Sequence, residues 1–308
     1  MELSLIIPVF NEQNNIEPLY NEIRETLKNL KSYEIIFVDD GSRDGTFEVL
    51  EKLSKKDGKI RAIKFNYNYG KGNALQAGLD ICKGEKIIVM DGDGQHNPKY
   101  IHDYARKLDT CDIVTNIRSE RKGIGPNIIT PIGNAIIRFL FKVNLSDSIG
   151  SMIGLKRKVK ENLFVYGNLF RFIPLLAIWK GFKIGEQEIV IRSRKTGKSK
   201  FKGFKPFKGF VDLLTVKFFV SYSTRPSHIF GSAGLASLGV GLMSLFYLFV
   251  NRIFFGNAIT EHLPMFLTGI LLTMLGFNFL FFGFLGDMMS HNYLTTNNKK
   301  EYIIDRII

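Results

Sequence analysis

Asp91-Gly92-Asp93 sets two carboxylates on either side of a glycine, directly after the apolar run Lys86-Ile87-Ile88-Val89-Met90. Side by side at the end of a buried strand, they repel one another unless a cation lies between them. Mg²⁺ or Mn²⁺ suits such a pair, because both take oxygen ligands and bridge carboxylates to substrate phosphates. Gln95 offers an amide oxygen to the same ion or orients those phosphates. An isolated Asp-x-Asp is also a common solvated turn, so its neighbours decide the reading. Asp39-Asp40-Gly41-Ser42-Arg43-Asp44-Gly45-Thr46 follows another apolar run and supplies acceptors for a ribose or base, then a capped helix start. Asn68-Tyr69-Gly70-Lys71-Gly72-Asn73-Ala74 opens a helix, with glycines for close backbone approach and Lys71 for a phosphate. Neither a P-loop nor a dinucleotide glycine fingerprint occurs. A nucleotide is therefore held in another way.

These groups need elements that bring them together. Short apolar runs at 3–9, 34–38, 60–65 and 86–90 read as strands, and the stretches 15–30, 45–55 and 73–82 read as helices. Such alternation predicts an α/β fold with a mostly parallel sheet flanked by helices. In open sheets of this kind ligands lie beyond the carboxyl ends of the strands. Asn11-Glu12, Asp39-Asp40, Asn66-Tyr67-Asn68 and Asp91-Gly92-Asp93 all fall at such ends.

The chain of 308 residues is 45% hydrophobic and 13% aromatic, which excludes disorder, and its formal charge of +13 points to an anionic partner. The two cysteines, Cys82 and Cys111, have neither metal-site spacing nor a disulfide framework and read as core residues. Met1-Glu2 lacks a basic n-region and Pro8 interrupts the first apolar run, so the N-terminus does not read as a signal peptide.

Residues 228–250 and 263–285 are free of formal charge if His228 is neutral. Each exceeds the roughly 20 residues a helix needs to cross the hydrocarbon core. Arg192, Arg194, Lys195, Lys198, Lys200, Lys202, Lys205 and Lys208 precede the first span without an intervening acid, and Lys299, Lys300 and Arg306 follow the second. The positive-inside bias puts both flanks, both termini and the front domain in the cytoplasm, with a short loop outside. Between the basic run and the first span, 207–222 reads as an amphipathic helix lying in the interface.

Taken in order, Pro8-Val9-Phe10-Asn11-Glu12, the 39–46 segment, the 68–75 segment and 91–95 resemble a family 2 glycosyltransferase with the GT-A fold. The resemblance runs on through Arg-Ser-Arg-Lys-Thr-Gly-Lys-Ser-Lys at 192–200, both spans and the late Tyr302-Ile303-Ile304. Within that family the chain is most similar to dolichol-phosphate mannosyltransferases and polyprenyl-phosphate hexosyltransferases. The expected layout is a catalytic domain at 1–203, interfacial amphipathic helices at 204–226, two transmembrane helices at 227–286 and a cytoplasmic tail at 287–308.

The resemblance implies a membrane enzyme that moves a hexose from a UDP- or GDP-linked donor onto dolichyl or undecaprenyl phosphate, with inversion to a β-linked product. It implies that Pro8, Phe10, Glu12 and Asp39 hold the nucleoside and that Lys71 lies near the phosphates. Asp91, Gly92 and Asp93 serve the diphosphate, with Asp91, Asp93 and Gln95 carrying Mg²⁺ or Mn²⁺. Arg118, Arg138, Arg194 and Lys200 are assigned to sugar or acceptor phosphate, and Asp147 to the acidic position beside the acceptor. The sequence departs from the family pattern around Asp147-Ser148-Ile149-Gly150-Ser151. Membrane lipid is the further expected partner and nucleic acid is not; a homo-oligomer is left open. Two rivals share parts of this reading. A polysaccharide synthase lacks support because the lone Trp179 follows Ile178 and no Gln-x-x-Arg-Trp motif is present. A non-catalytic scaffold that binds nucleotide-sugar has no need of an intact Asp91 and Asp93.

Overall fold

The protein is described from a computed structural model, over residues 1–118, 151–162, 170, 172–192, 227–256, 258–295 and 304–308. It divides into a unit of Met1–Val216 with Lys300–Ile308 and a second unit of Lys217–Lys299.

The first unit is built on an eight-stranded sheet. Its elements in chain order begin with strand β1 (Leu3–Val9), helix α1 (Gln13–Leu27), β2 (Tyr33–Asp39), α2 (Thr46–Lys56), β3 (Ile60–Phe65), α3 (Lys71–Ile81) and β4 (Lys86–Val89). They continue with α4 (Ile101–Thr110), β5 (Ile113–Arg118), β6 (Ile153–Lys156), α5 (Arg157–Asn162), α6 (Ile173–Trp179), β7 (Ile184–Ile189) and, at the C-terminus, β8 (Ile304–Ile307). The spatial order is β7-β5-β6-β4-β1-β2-β3-β8. Strands β4, β1, β2 and β3 run parallel, whereas β6 and β8 run antiparallel to their neighbours. Strand β7 is parallel to β5.

The two-residue period of a strand explains why both faces are covered. On β1 and β2, Leu3, Leu5, Ile7, Tyr33, Ile35 and Phe37 pack on one face with Ile16, Ile23 and Leu50 of α1 and α2. Ile6, Ile36 and Val38 turn to the other face, against Ala74 and Leu79 of α3. Cys82 and Cys111 are buried free thiols, and burial raises the pKa of each.

Several boundaries differ from those read off the sequence. Helix α3 starts at Lys71 rather than 73, because the Asp40 carboxylate accepts the backbone N–H groups of Tyr69 and Gly70 and fixes the chain just before it. Gly70 takes φ +93° there, a conformation that L side chains rarely adopt. Residues 304–307, expected in a tail, form β8 and pair with β3 from Ile63↔Ile307 to Phe65↔Ile304. Arg306 Nη1 lies 3.1 Å from Glu51 Oε1, tying that strand to α2.

In the second unit, α7 (Ser227–Phe255) and α8 (Leu263–Thr295) pack against one another as a pair. Their segments Phe230–Phe255 and Leu263–Met289 are long and apolar enough to cross a membrane. Helix α8 continues past Asp287 to Thr295, beyond the span end expected at 286. Glycines let the axes close up. A Cβ on Gly234 would lie 2.9 Å from the Gly276 carbonyl oxygen, and one on Gly241 the same distance from that of Gly269. Ser237 Oγ donates across the pair to the Leu272 carbonyl at 2.8 Å.

Candidate active site

Strands β4, β1 and β2 are neighbours with a common direction, so the loops that follow them share one edge of the sheet. Strands β4 and β2, on either side of β1, are roughly 10 Å apart at two strand spacings. Asp91 follows the end of β4, Asn11 and Glu12 that of β1 and Asp40 that of β2, whose last residue is Asp39. Strand β5 runs the same way as β4, since both are antiparallel to β6. Its last residue, Arg118, therefore has its backbone on the same edge. Arg138, Asp147, Arg194 and Lys200 lie outside the described residues.

Pro8 sits in the middle of the sheet, where a missing N–H normally costs a ladder bond. Here it falls past the last β1–β4 pair, Ile6↔Val89. Beyond it the loops after β1 and β2 lace together. The Asn11 N–H donates to Ser42 Oγ at 2.8 Å, the Glu12 N–H to Thr46 Oγ1 at 2.9 Å, and the Arg43 N–H to Asn11 Oδ1 at 2.9 Å. Asn11 holds φ +51°, which its short polar side chain tolerates better than most. Phe10 is half-buried beside it, and Glu12 Oε2 accepts Asn15 Nδ2 at 2.6 Å.

Asp39 is fully buried. Its Oδ1 accepts the Ser42 N–H at 3.0 Å and the Ser42 hydroxyl, while its Oδ2 is buried with no hydrogen-bond partner among the described residues. Burial raises its pKa against the pull of those two bonds. Asp40 is buried as well, and desolvation pushes it up to about 6 despite the N–H groups of Tyr69 and Gly70. An acceptor oxygen left without a donor inside a protein costs on the order of 1–3 kcal/mol.

The loop after β4 crosses the end of β1. A Cβ on Gly92 would lie 2.5 Å from Val9 Cγ1 and 3.3 Å from the Pro8 carbonyl oxygen, so no larger residue fits between the carboxylates. Asp93 is buried and its Oδ1 accepts the Gln95 N–H at 3.1 Å. Asp91 is ion-paired with Lys71 at the start of α3, both side chains being partly open to solvent. Lys71 therefore bears directly on the Asp-x-Asp pair. Gln95 turns toward the chain beyond β7: its Nε2 donates to the Arg192 carbonyl at 3.3 Å, and the Arg192 N–H donates to the Gln95 carbonyl at 2.9 Å. The basic run thus starts from the Asp-x-Asp loop, with Arg192 itself paired to Glu22 at 2.6 Å.

The sequence reading gave no role to His96 or Asn116, and it named Asp40 only within the segment that supplies acceptors for a ribose or base. The Asp91 N–H donates to His96 Nδ1 at 3.0 Å, and His96 Nε2 lies 2.9 Å from Ser151 Oγ. Asn116 Oδ1 accepts the N–H groups of Ser151 and Met152 at 2.7 and 3.0 Å. Adjacent carboxylates at a strand end were a usable signal for Asp40. Nothing in the sequence singles out His96 or Asn116.

A mostly parallel sheet flanked by helices, with acids at its strand ends and an Asp-x-Asp loop after β4, is the GT-A-like architecture of a glycosyltransferase. The chain belongs to glycosyl transferase family 2, whose family model matches residues 4–164. It is 30% identical to a dodecaprenyl-phosphate galacturonate synthase of Rhizobium johnstonii, over 100% of this chain and 93% of that protein. It is also 30% identical to a prophage bactoprenol glucosyl transferase homolog of Escherichia coli, over 100% of this chain and 99% of the relative. An undecaprenyl-phosphate 4-deoxy-4-formamido-L-arabinose transferase of Pseudomonas fluorescens is 27% identical, over 99% of this chain and 89% of its own length. The fold matches glucosyl-3-phosphoglycerate synthase of Mycobacterium tuberculosis in complex with Mn²⁺, uridine diphosphate and phosphoglyceric acid. That match has a TM-score of 0.56 at 18% identity and covers 73% of this chain and 81% of that one.

Proposed function

We propose that this glycosyltransferase moves a hexose-class sugar from a UDP- or GDP-linked donor onto the phosphate of a polyprenyl lipid at the cytoplasmic membrane face. One observation carries the reading. The chain aligns from end to end, helix pair included, with relatives named for dodecaprenyl phosphate, bactoprenol or undecaprenyl phosphate, while the sugars in those names differ. The lipid is therefore the shared element and the sugar the variable one.

In this reading Asp39 Oδ2 receives an N–H of the nucleobase, which relieves its unmet acceptor, and Pro8, Phe10 and Glu12 frame the nucleoside. Asp91 and Asp93 fit a hard divalent cation that arrives with the diphosphate. They offer two carboxylates, and among the described residues no three His, Cys, Asp or Glu side chains form a resident metal site. Mg²⁺ or Mn²⁺ bound there supplies Lewis-acid stabilisation of the leaving diphosphate. Lys71 balances Asp91 in the free protein and lies ready for a phosphate oxygen. Gln95 orients the diphosphate from the start of the basic run.

A phosphate monoester has its second pKa near 6, so the acceptor is already an anionic nucleophile at neutral pH. Two polyanions must then be held together, the task assigned to Arg118, Arg138, Arg194 and Lys200. Asp147 positions the acceptor or takes a residual proton. In-line attack on the anomeric carbon inverts its configuration.

The helix pair anchors the enzyme. Because β8 follows α8 and lies in the same sheet as β1, the chain that leaves the sheet unit for the helices comes back to it. An even number of crossings, two spans with both termini cytoplasmic, satisfies that return and the positive-inside bias together.

The test is to incubate purified protein with Mn²⁺, labelled UDP- and GDP-hexoses and a short polyprenyl phosphate. Label extracted with the lipid supports the proposal. Label that binds without turnover indicates a scaffold, and label in polymer indicates another acceptor; either result removes it.

A further inference from the structure

The Asp-x-Asp loop is braced from behind by groups that the proposed chemistry does not use. His96 is 2% exposed and follows directly on Gln95. Its Nδ1 accepts the Asp91 backbone N–H at 3.0 Å. A ring nitrogen that accepts carries no proton, so in the neutral ring the proton is on Nε2. From there it points to Ser151 Oγ, 2.9 Å away.

Ser151 is fixed in turn. Its N–H and that of Met152 both donate to Asn116 Oδ1, at 2.7 and 3.0 Å, and Asn116 is fully buried in β5. The line of bonds thus runs from the backbone of the first carboxylate residue, through the imidazole, to the start of β6 and into β5, the strand that ends at Arg118. The Asp91 N–H on one ring nitrogen and Ser151 Oγ on the other fix the ring orientation, and the accepting Nδ1 fixes the tautomer. A shift of the ring displaces the Asp91 amide, and the carboxylate on that residue moves with it.

We propose that His96 is a positioning residue for the Asp91–Asp93 loop: its imidazole, held between the Asp91 amide and Ser151, sets how the carboxylates face the cation-bearing diphosphate. The inference rests on the reading of Asp91 and Asp93 as the cation site. It goes beyond that reading because His96 is not among the residues assigned there to the cation, the nucleotide or the acceptor.

Two amides separate this role from simple packing. In His96→Asn the amide oxygen replaces Nδ1 and still accepts from Asp91. In His96→Gln the amide nitrogen replaces Nε2 and reaches Ser151, leaving the Asp91 N–H unmet. UDP and GDP are titrated separately by calorimetry into wild type, His96→Ala, His96→Asn, His96→Gln and Asp93→Asn, with Mn²⁺ and with EDTA.

His96→Ala and His96→Gln are expected to weaken Mn²⁺-supported nucleotide binding by about 10- to 100-fold, the loss typical when a group that orients a metal ligand is removed. His96→Asn is expected to stay within about 3-fold of wild type, below that range. Binding in EDTA and the KM for polyprenyl phosphate stay unchanged, and kcat falls with the Mn²⁺-supported affinity. Equal behaviour of the Asn and Gln variants overturns the proposal, as does wild-type binding by His96→Ala or an equal loss in EDTA. If Asp93→Asn keeps full Mn²⁺-supported binding, or neither nucleotide binds wild type, the cation reading itself fails and the inference with it.

Discussion

The sheet unit and the helix pair draw on the same apolar residue types and turn them in opposite directions. In the sheet unit Ile6, Ile36 and Phe37 are fully buried, and polar side chains cover the outside. In the helix pair Met243, Phe246, Phe254 and Phe277 are 72, 66, 76 and 63% exposed, and Gly234, Gly241, Gly269 and Gly276 lie between the helices. The first arrangement suits water outside. The second suits hydrocarbon, where large side chains gain nothing by turning inward and association depends on close backbone approach.

Glycine shows the same split. Gly92 is small so that the Asp-x-Asp loop can lie on Val9, a local need of the site. Gly234 faces Gly276 and Gly241 faces Gly269, at a heptad spacing that keeps one seam of each helix toward the other. One residue type thus serves ligand geometry in one region and helix packing in the other. Damage to one region should therefore leave the other largely intact.

The largest effect that sharpens this separation is expected from Asp93→Ala. Turnover should fall roughly 10³-fold, since cation stabilisation of a leaving group is worth several kcal/mol. The variant should still be found wholly in the membrane fraction. Substantial residual turnover, or loss of insertion, breaks the separation.

Gly276→Leu attacks the other region. A Cβ at that position already meets the Leu238 backbone nitrogen at 2.8 Å, so a leucine forces the helices apart. Overpacking of this kind costs about 1–3 kcal/mol, read as a lower midpoint for melting of the detergent-solubilised protein. Nucleotide affinity of the protein that remains folded should not change.

A smaller effect is expected from deleting residues 304–308. This removes β8, uncovers the edge of β3 and breaks the Arg306–Glu51 pair. A loss of about 1–2 kcal/mol translates into a fall in Tm of a few degrees for a unit of this size. An unchanged Tm means that β8 adds nothing to the sheet.

The last effect is a pH dependence. Burial raises the pKa of Asp40 from 3.8 to about 6. The folded state therefore binds more protons than the unfolded state between those values, and stability falls as pH rises through that window. Above about pH 6 the contribution is flat. Asp40→Asn lacks this titration, so its Tm relative to wild type should rise from pH 4 to 6 and then level off. A constant difference across that range rules out the assignment.

Much of the sheet unit was legible because apolar runs, acids at strand ends and glycines before helices repeat in a regular order. The strands at 3–9 and 60–65 and the acids at Asp39, Asp91 and Asp93 came directly from that pattern. What stayed hidden depends on contacts distant in sequence. Strand β7 carries Glu186, Gln187 and Glu188, too polar to read as a strand without β5 beside it. Residues 304–307 are a strand only because β3 offers an open edge. The link between Gln95 and Arg192, and the bracing of Asp91 by His96, likewise join segments with no shared local signal.

The most direct test of the central claim is the mass of the lipid product. Wild-type protein in a lipid bilayer with undecaprenyl phosphate, Mn²⁺ and the productive nucleotide-sugar is expected to yield a lipid with one added sugar and a single phosphorus. Product formation should cease in EDTA and return when Mn²⁺ is restored. A lipid with two phosphorus atoms, or undiminished transfer in EDTA, contradicts the account.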